Sequence, residues 1–329
     1  MTDNTPAPRK LEASDFETLN SIFLPHAMAR QKETLDHNRR FVHYTSAENA
    51  IKIIHSKEIW LRSVRCMSDY TEVLHGYQFL RQFFNNQEHR TVFDETLEPC
   101  AAGIAAEALS MFDKWWMNIQ FSTYICSISE HQESEDRHGR LSMWRAFGRP
   151  AARAAIVLNL PRQSAAVGLN LTLSPVAYFS YEQVEAELLS VISGVRKHCE
   201  FLKSVDRQTV LHAIFFMLMI AAVSLKHEGF HEEREWRLVY SPQLRPSAFL
   251  RKATETIDGI PQIIYKISLE NRPTDNIVGV EIPELIERVI IGPSNYPIPI
   301  GEAFAVALQE AGMKDAASRV FASNIPLRT

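Results

Sequence analysis

Hydrophobic and polar residues alternate along Glu233–Tyr240. Successive side chains of a strand point to opposite faces, so this alternation predicts a strand with one apolar and one charged face. The apolar face consists of Trp236, Leu238 and Tyr240. The opposite face consists of Glu233, Glu235, Arg237 and Val239. We expect the first face to pack into a core and the second to line a cleft or meet solvent.

A strand, a capped helix and a second strand are predicted between residues 41 and 61. Phe41–Tyr44 and Ile59–Leu61 are short apolar or aromatic runs typical of strands. Apolar residues recur at helical spacing between them, at Ala47, Ala50, Ile51 and Ile54. Thr45 and Glu48 match a capping box, in which each side chain bonds the main chain at the other residue. The helix is therefore expected to begin here.

The same patterns predict the remaining elements. Helices are expected at 16–23, 27–35, 73–84, 91–116, 141–148, 182–203, 208–227 and 299–311, and strands at 121–128, 154–158, 176–181, 263–269, 289–291 and 320–322. Together they indicate an α+β fold with a mixed central sheet and flanking helices. Residues 1–40 are expected to form a flexible leader and a helical extension, and residues 41–329 a single domain.

Composition indicates a soluble globular protein, because 46% of the 329 residues are hydrophobic and 22% are charged. The net charge of -4 gives no basic footprint for nucleic acid. The most apolar run, Ala213–Val223, is about half as long as a membrane crossing requires. No membrane partner is therefore expected.

The spacing of the cysteines and the number of glycines further narrow the possible class of protein and type of binding site. The cysteines are widely spaced, at Cys66, Cys100, Cys126 and Cys199, which favours reduced thiols and a cytoplasmic location. The chain contains only 12 glycines, with neither a G-x-G-x-x-G turn nor a P-loop. A Rossmann or Walker nucleotide site is therefore not expected.

His227 and His231 complete an H-E-x-x-H pattern, which in zinc peptidases places both imidazoles on one helix face. Lys226 and Gly229 are signals for the end of a helix at this point. A helix that stops by Gly229 would not present both histidines together. A zinc hydrolase is thus an alternative, and no metal is expected in the favoured interpretation.

Several motifs resemble a bacterial family catalogued as domain of unknown function twenty-nine seventy-one. The first motifs of that family resemble His43–Ser46, the predicted helix that follows, Ile59–Leu61 and Met67–Glu72. Ser68 stands where the family usually has asparagine. Four further motifs follow in the family's order: Cys126–Ser129, Ser142–Arg145, Phe230–Arg237 and Ile291–Pro293. The resemblance runs from about Phe41 to Arg328.

The layout also resembles the ADP-ribosyltransferase superfamily, and this resemblance implies roles for individual residues. By this resemblance Glu235 is the catalytic glutamate, and Glu233 completes a Glu-x-Glu motif with it. His43, beside Thr45 on the first strand, contacts the adenosine-side ribose of NAD. Tyr44 and Trp144 are both candidates for the aromatic residue that stacks on nicotinamide. The remaining candidates for the binding site are Thr45, Arg145, Arg237, Asp69 and Glu72.

The chemistry agrees with these roles. Cleavage of the nicotinamide–ribose bond builds positive charge on the sugar, which a fixed carboxylate stabilises. Arg145 or Arg237 is suited to hold a phosphate through two hydrogen bonds. NAD is the expected substrate, and a toxin or phage-defence role fits by analogy alone. The acceptor, whether protein, nucleic acid, small molecule or water, and the oligomeric state stay open.

These residues also have a structural interpretation, in which they stabilise the fold and take no part in chemistry. His43 is suited to brace the following helix, and Trp144 and Trp236 to fill the core. Arg145 and Arg237 could form a structural ion pair with Glu235 or Glu72. A non-catalytic nucleotide-sensing or protein-interaction module is therefore the main alternative to an enzyme.

Overall fold

The computed structural model describes residues 11–36, 40–66, 71–146, 152–160, 164–257 and 259–326. Its helices are α1 (Ala13–Phe23), α2 (Pro25–Asp36), α3 (Ala47–Ser56), α4 (Thr71–Asn85), α5 (Gln87–Leu97), α6 (Ile104–Ser122), α7 (Leu141–Ala146), α8 (Ser164–Gly168), α9 (Tyr181–Lys197), α10 (Cys199–Ser204), α11 (Arg207–Val223), α12 (Ile282–Leu285) and α13 (Pro297–Glu310).

The strands are β1 (Arg40–Ser46), β2 (Glu58–Ser63), β3 (Tyr124–His131), β4 (Arg153–Leu158), β5 (Thr172–Pro175), β6 (Ala177–Tyr178), β7 (Leu225–Lys226), β8 (Glu235–Tyr240), β9 (Leu250–Ile257), β10 (Ile260–Ser268), β11 (Ile286–Ile291) and β12 (Val320–Ala322). The predicted combination of helices with a mixed central sheet is confirmed. The sequence patterns missed β5, β7 and β9.

Contacts are densest within two compact units. The first consists of Met1–Asp36, Ser68–Phe121 and Pro175–Phe230, and the second of His37–Met67, Ser122–Ser174 and His231–Thr329. Each unit is thus assembled from separated stretches of chain. Dense contacts do not by themselves measure independent folding, so the predicted single domain over residues 41–329 stays a prediction.

The first unit is mainly helical. Its helices α4 and α11 approach closely at Gly76, where an added Cβ would lie 2.5 Å from the Ala222 carbonyl oxygen. Helix α4 begins two residues before the predicted start at Val73, so its first turn contains Glu72, which pairs with Lys226 at 2.6 Å. No described helix combines the length and the apolar character needed to span a membrane.

The second unit contains the central sheet, whose strands run in the order β12-β11-β4-β1-β3-β2-β10-β9. Strand β8 pairs with β3 and continues to β5, so the sheet branches at β3. The β11–β12 pair is parallel, and the β1–β3, β1–β4 and β3–β8 pairs are antiparallel. Strand β3 is the element on which the two branches meet.

Helices cover both faces of this sheet. On one face, Ile54 of α3 and Phe304 of α13 belong to a buried cluster that also contains Phe41 and Trp236. On the other face, Trp144 of α7 packs in a second cluster with Val42. Burial of such large side chains supplies the main driving force for this arrangement.

The cap of α3 differs by one residue from the prediction. The hydroxyl oxygen of Ser46, and not that of Thr45, accepts a hydrogen bond of 3.1 Å from the Asn49 amide. Thr45 instead continues β1 and pairs with Ala154 of β4. The sequence Thr45-Ser46 offers two adjacent hydroxyl caps, and the length of the strand decides between them.

The loop before α7 is built around Trp144. Gly139 has a φ of +65°, and a Cβ added there would lie 2.6 Å from Cζ2 of the Trp144 ring. The indole Nε1 donates a 2.8 Å hydrogen bond to the His138 carbonyl. Glycine is required here both by the left-handed backbone and by the close ring.

Strand β8 begins at Glu235, two residues later than predicted. Glu228–Glu233 forms a 3-10 helix, and Arg234 then takes a φ of +44°. A left-handed residue breaks the alternation of side chains, so Glu233 does not share the strand face of Glu235. The predicted face with two carboxylates therefore has only one.

Candidate functional site

The ladder along one edge of β3 is interrupted at its centre. Strand β1 pairs with β3 at Ser129–His131, and β2 pairs with the same edge at Tyr124 and Ile125. Among the described strands, none pairs with this edge at residues 126–128. On its opposite edge β3 pairs continuously with β8 from Tyr124 to Ser129. Ser127 thus lies where β1 and β2 diverge.

Glu235 is held beside Ser127 by an ion pair and a hydroxyl. Glu235 Oε1 lies 2.9 Å from Arg237 Nε and also accepts a hydrogen bond from Ser127 Oγ. Glu235 Oε2 accepts a second bond, of 3.2 Å, from Arg237 Nη2. Glu235 is 6% exposed and Arg237 is 2% exposed. This carboxylate is therefore fixed in direction and largely shielded from water.

The predicted charged face of β8 is thus buried, not solvent-facing. Two charges leave water here together, which is tolerable because each satisfies the other through two hydrogen bonds. The pair matches the structural interpretation of Arg237 given above. The Glu235 carboxylate also contributes to the pKa of Cys126, which burial above all raises to about 12.

The imidazole of His43 is hydrogen-bonded to the main chain of the same serine, Ser127. Its Nδ1 donates to the Ser127 carbonyl oxygen at 2.9 Å, which assigns the hydrogen to Nδ1 and leaves Nε2 as the acceptor. Burial lowers the pKa of His43, an effect that outweighs the bond to Ser127. The ring is therefore a neutral acceptor with a fixed tautomer.

His43 and Glu235 leave the sheet on opposite faces. Ser129 pairs with both Val42 and Glu235, so these three side chains share a face. Alternation places His43 on the other face, opposite Ile156 of β4. The two side chains are therefore linked through Ser127, whose carbonyl bonds His43 and whose hydroxyl bonds Glu235.

Stability should fall in acid because His43 is neutral in the folded chain. Its folded pKa lies below the unfolded value of about 6.5, so the unfolded chain binds the extra proton first as pH falls. The free energy of unfolding should be constant above about pH 6.5 and decline below it, by at most about 1.4 kcal/mol per pH unit for this residue. Urea unfolding between pH 5 and 7.5 measures this slope.

His43→Gln should make that slope shallower, and His55→Gln, at an exposed position, should leave it unchanged. An unchanged slope in His43→Gln would show that other groups cause the acid sensitivity. His26 and His131 also have pKa values lowered by burial, so some slope is expected to persist in His43→Gln.

The side chains of Tyr44 and Trp144 are buried in the core. Their rings meet edge to face at a centroid distance of 4.9 Å, and both side chains are at most 4% exposed. The Tyr44 hydroxyl accepts a 2.8 Å bond from the Arg140 amide, and burial raises the pKa of Tyr44 to about 12. Neither ring is placed to stack on a ligand without rearrangement.

None of the other candidate residues that the structure describes is hydrogen-bonded to Ser127. Arg145 is exposed at the end of α7, and Thr45 is partly buried on β1. Glu233 belongs to the 3-10 helix before β8. Glu72 lies in the first compact unit, and Asp69 falls outside the described residues. Of the predicted set, the structure joins His43, Glu235 and Arg237 through Ser127.

The H-E-x-x-H segment is not an α-helix. Helix α11 ends at Val223, earlier than the predicted end, and Leu225–Lys226 is a short strand. His227 Nδ1 accepts a 3.1 Å bond from the Gly229 amide. The helical presentation that a zinc peptidase needs is therefore missing. Across the described ranges, no three His, Cys, Asp or Glu side chains are grouped to hold a metal ion.

Sequence reasoning did not identify Ser127 as part of the candidate site. The available signal was the pattern Tyr124-Ile125-Cys126-Ser127, in which a hydroxyl interrupts an apolar strand. A polar side chain in such a strand needs a partner when buried. That requirement indicates a bonded serine, but the partner comes from a distant strand.

Comparison with protein-family models, with curated proteins and with solved structures gives no match at any of the three levels. The resemblances described for the sequence therefore stay predictions, and function must be argued from the geometry around Ser127.

Proposed function

We propose that this protein cleaves the nicotinamide–ribose bond of NAD, as a transferase or a hydrolase, with Glu235 as its catalytic carboxylate. One observation carries the proposal. Ser127 joins a neutral histidine acceptor, through its carbonyl, to a fixed carboxylate, through its hydroxyl, at the point where the sheet branches. An acceptor for ribose hydroxyls and a stabiliser for positive charge are the two functions that this reaction needs.

In the proposed reaction, the bond between the ribose carbon and the nicotinamide nitrogen breaks. Nicotinamide leaves with the bonding electron pair and becomes neutral. The sugar carbon becomes cationic and is attacked by a hydroxyl, amine or water of the acceptor, which then loses a proton. The carboxylate of Glu235 stabilises the sugar cation through its negative charge, which burial makes more effective than it would be in water.

His43 supports substrate binding in this proposal. Its Nδ1 is occupied by the Ser127 carbonyl, so Nε2 is the nitrogen that accepts a hydrogen bond from a ribose hydroxyl. The lowered pKa keeps this acceptor neutral through the physiological range. The expected consequence is NAD affinity that does not depend on pH between about 6.5 and 8.

A non-catalytic binding module is the second candidate, and the burial of the Glu235–Arg237 pair favours it. A carboxylate that is 6% exposed and already bonded to Arg237 and Ser127 is also what a purely structural ion pair looks like. In that case the branch point would bind a nucleotide or brace the sheet without chemistry. A cytoplasmic location and a role in defence or toxicity stay proposals under either candidate.

The test is incubation of the purified full chain with NAD, following nicotinamide release and transfer of label from the adenosine half. His43→Asn should raise KM for NAD about tenfold with kcat changed much less, because one neutral hydrogen bond to the substrate is lost. The matched control is His55→Asn, at an exposed position on α3.

Nicotinamide release with this KM effect would support the enzyme. NAD binding without release, even when a cell lysate supplies acceptors, would move the conclusion to the binding module. Absence of both release and binding would overturn the proposal.

A further inference from the structure

A pocket of about 470 Å³ lies directly ahead of β8, on the segment that leads to Glu235. Its lining consists of Glu135, Arg140, Leu141, Ser142, His231, Glu232 and Arg234. The sequence patterns assigned a role to one of these residues, His231, in the zinc alternative. The volume is in the range of small-molecule sites.

Arg140 lines this pocket, and all of its hydrogen-bond donors are bonded within the protein. A guanidinium has five N–H donors. Those of Arg140 go to both carboxylate oxygens of Glu135 and to the main-chain carbonyls of Glu130, Glu232 and Glu233, at 2.7 to 3.1 Å. Arg140 therefore fixes the loop but has no donor left for a ligand.

The guanidinium of Arg234, in contrast to that of Arg140, has no partner among the described residues. It forms no hydrogen bond or ion pair with them, and its Nη1 is buried. The backbone of Arg234 takes a φ of +44°, a conformation that costs about 1 to 3 kcal/mol for a residue other than glycine. An unsatisfied buried donor adds a cost of similar size. Two features on one pocket residue are thus unfavourable for stability, and packing alone does not explain them.

We propose that this pocket binds an oxyanion of a small molecule, with Arg234 as the charged ligand-binding residue and the Ser142 hydroxyl as a second donor. A guanidinium recognises phosphate or carboxylate through paired hydrogen bonds. The charge of Glu135 is balanced by Arg140, so Arg234 is not neutralised by that neighbour. We expect this oxyanion to be a phosphate group and not a carboxylate. A phosphate carries more negative charge and therefore pairs more strongly with the guanidinium of Arg234.

Arg234 thus takes the place of Arg145 and Arg237 as the proposed oxyanion-binding residue. Arg237 is bonded to Glu235 at 2.9 Å, and neither Arg237 nor Arg145 lines this pocket. The oxyanion proposal does not rest on NAD cleavage. Pyrophosphate binding and nicotinamide release are separate measurements, and each proposal can fail alone.

The test is isothermal titration of the full chain with inorganic pyrophosphate at low ionic strength, with succinate as a parallel arm. We expect one saturable site whose affinity for pyrophosphate falls at least tenfold in Arg234→Gln. Arg272→Gln, an exposed arginine outside the pocket lining, is the matched control and should bind as the unchanged protein does.

A second variant separates binding from folding. Arg234→Gly removes the guanidinium but suits the left-handed backbone, so it should raise the thermal midpoint by a few degrees and still lose the ligand. Saturable succinate binding that depends on Arg234, with no pyrophosphate binding, would support the oxyanion site with a carboxylate as its ligand. Failure of both anions to bind, or binding equal in Arg234→Gln, would overturn the proposal.

Discussion

Glu235→Gln is expected to lower nicotinamide release about a thousandfold while KM for NAD changes little. The substitution keeps the shape and the capacity to accept a bond from Ser127 Oγ, but it removes the negative charge. Loss of one preorganised electrostatic group in an active site costs about a hundredfold to a thousandfold in kcat. The effect belongs in kcat because the sugar cation exists only in the transition state.

Two further variants make this result interpretable. Glu235→Asp keeps the charge but withdraws the carboxylate by one methylene, and it should lose about a hundredfold while folding normally. Glu130→Gln changes another buried glutamate, one that accepts a 2.9 Å bond from the Trp236 indole on the other face of the sheet. Its activity should stay within a few-fold of the unchanged protein. Equal losses at positions 130 and 235 would indicate a structural role for both.

Arg237→Met is expected to destabilise the fold by about 3 to 5 kcal/mol, because it leaves the Glu235 carboxylate buried without its counter-charge. Urea unfolding followed by circular dichroism measures the change. Both residues are almost fully enclosed, so water cannot replace the lost guanidinium. A loss below about 1 kcal/mol would show that the pair is solvated in solution.

The double variant Glu235→Gln, Arg237→Met should recover much of that stability, since neither buried charge remains. The difference between the double variant and the sum of the single ones gives the interaction energy of the pair. Arg251→Met is the comparison at the surface. Arg251 lies 2.6 Å from Glu58 but is 61% exposed, and such pairs contribute about 1 kcal/mol or less.

The local patterns predicted most elements but not how the sheet is joined. Period-two alternation located Trp236 in the core, and helical spacing located the buried face of α3. These signals are local, because burial of one face is repeated at each turn or each second residue. The branch at Ser127 depends instead on pairing between β1, β2, β3 and β8, which are far apart in sequence.

Two errors at the candidate site have specific physical causes. Glu233 was expected on the strand because a single left-handed residue, Arg234, leaves no trace in the polarity pattern. Glu235 and Arg237 were expected to meet a cleft or solvent because a buried ion pair and an exposed charged face look identical in sequence. Only the partners, which come from the packed fold, distinguish the two cases.

The close packing of Trp144 against Gly139 restricts how the sequence can vary. The backbone there is left-handed, and the indole occupies the space that a Cβ would need. A residue other than glycine would have to displace a ring that is 1% exposed and contacts Tyr44. Sequences that retain a tryptophan at position 144 should therefore have glycine at position 139, and smaller residues at 144 should remove the steric part of that restriction while the left-handed backbone still favours glycine.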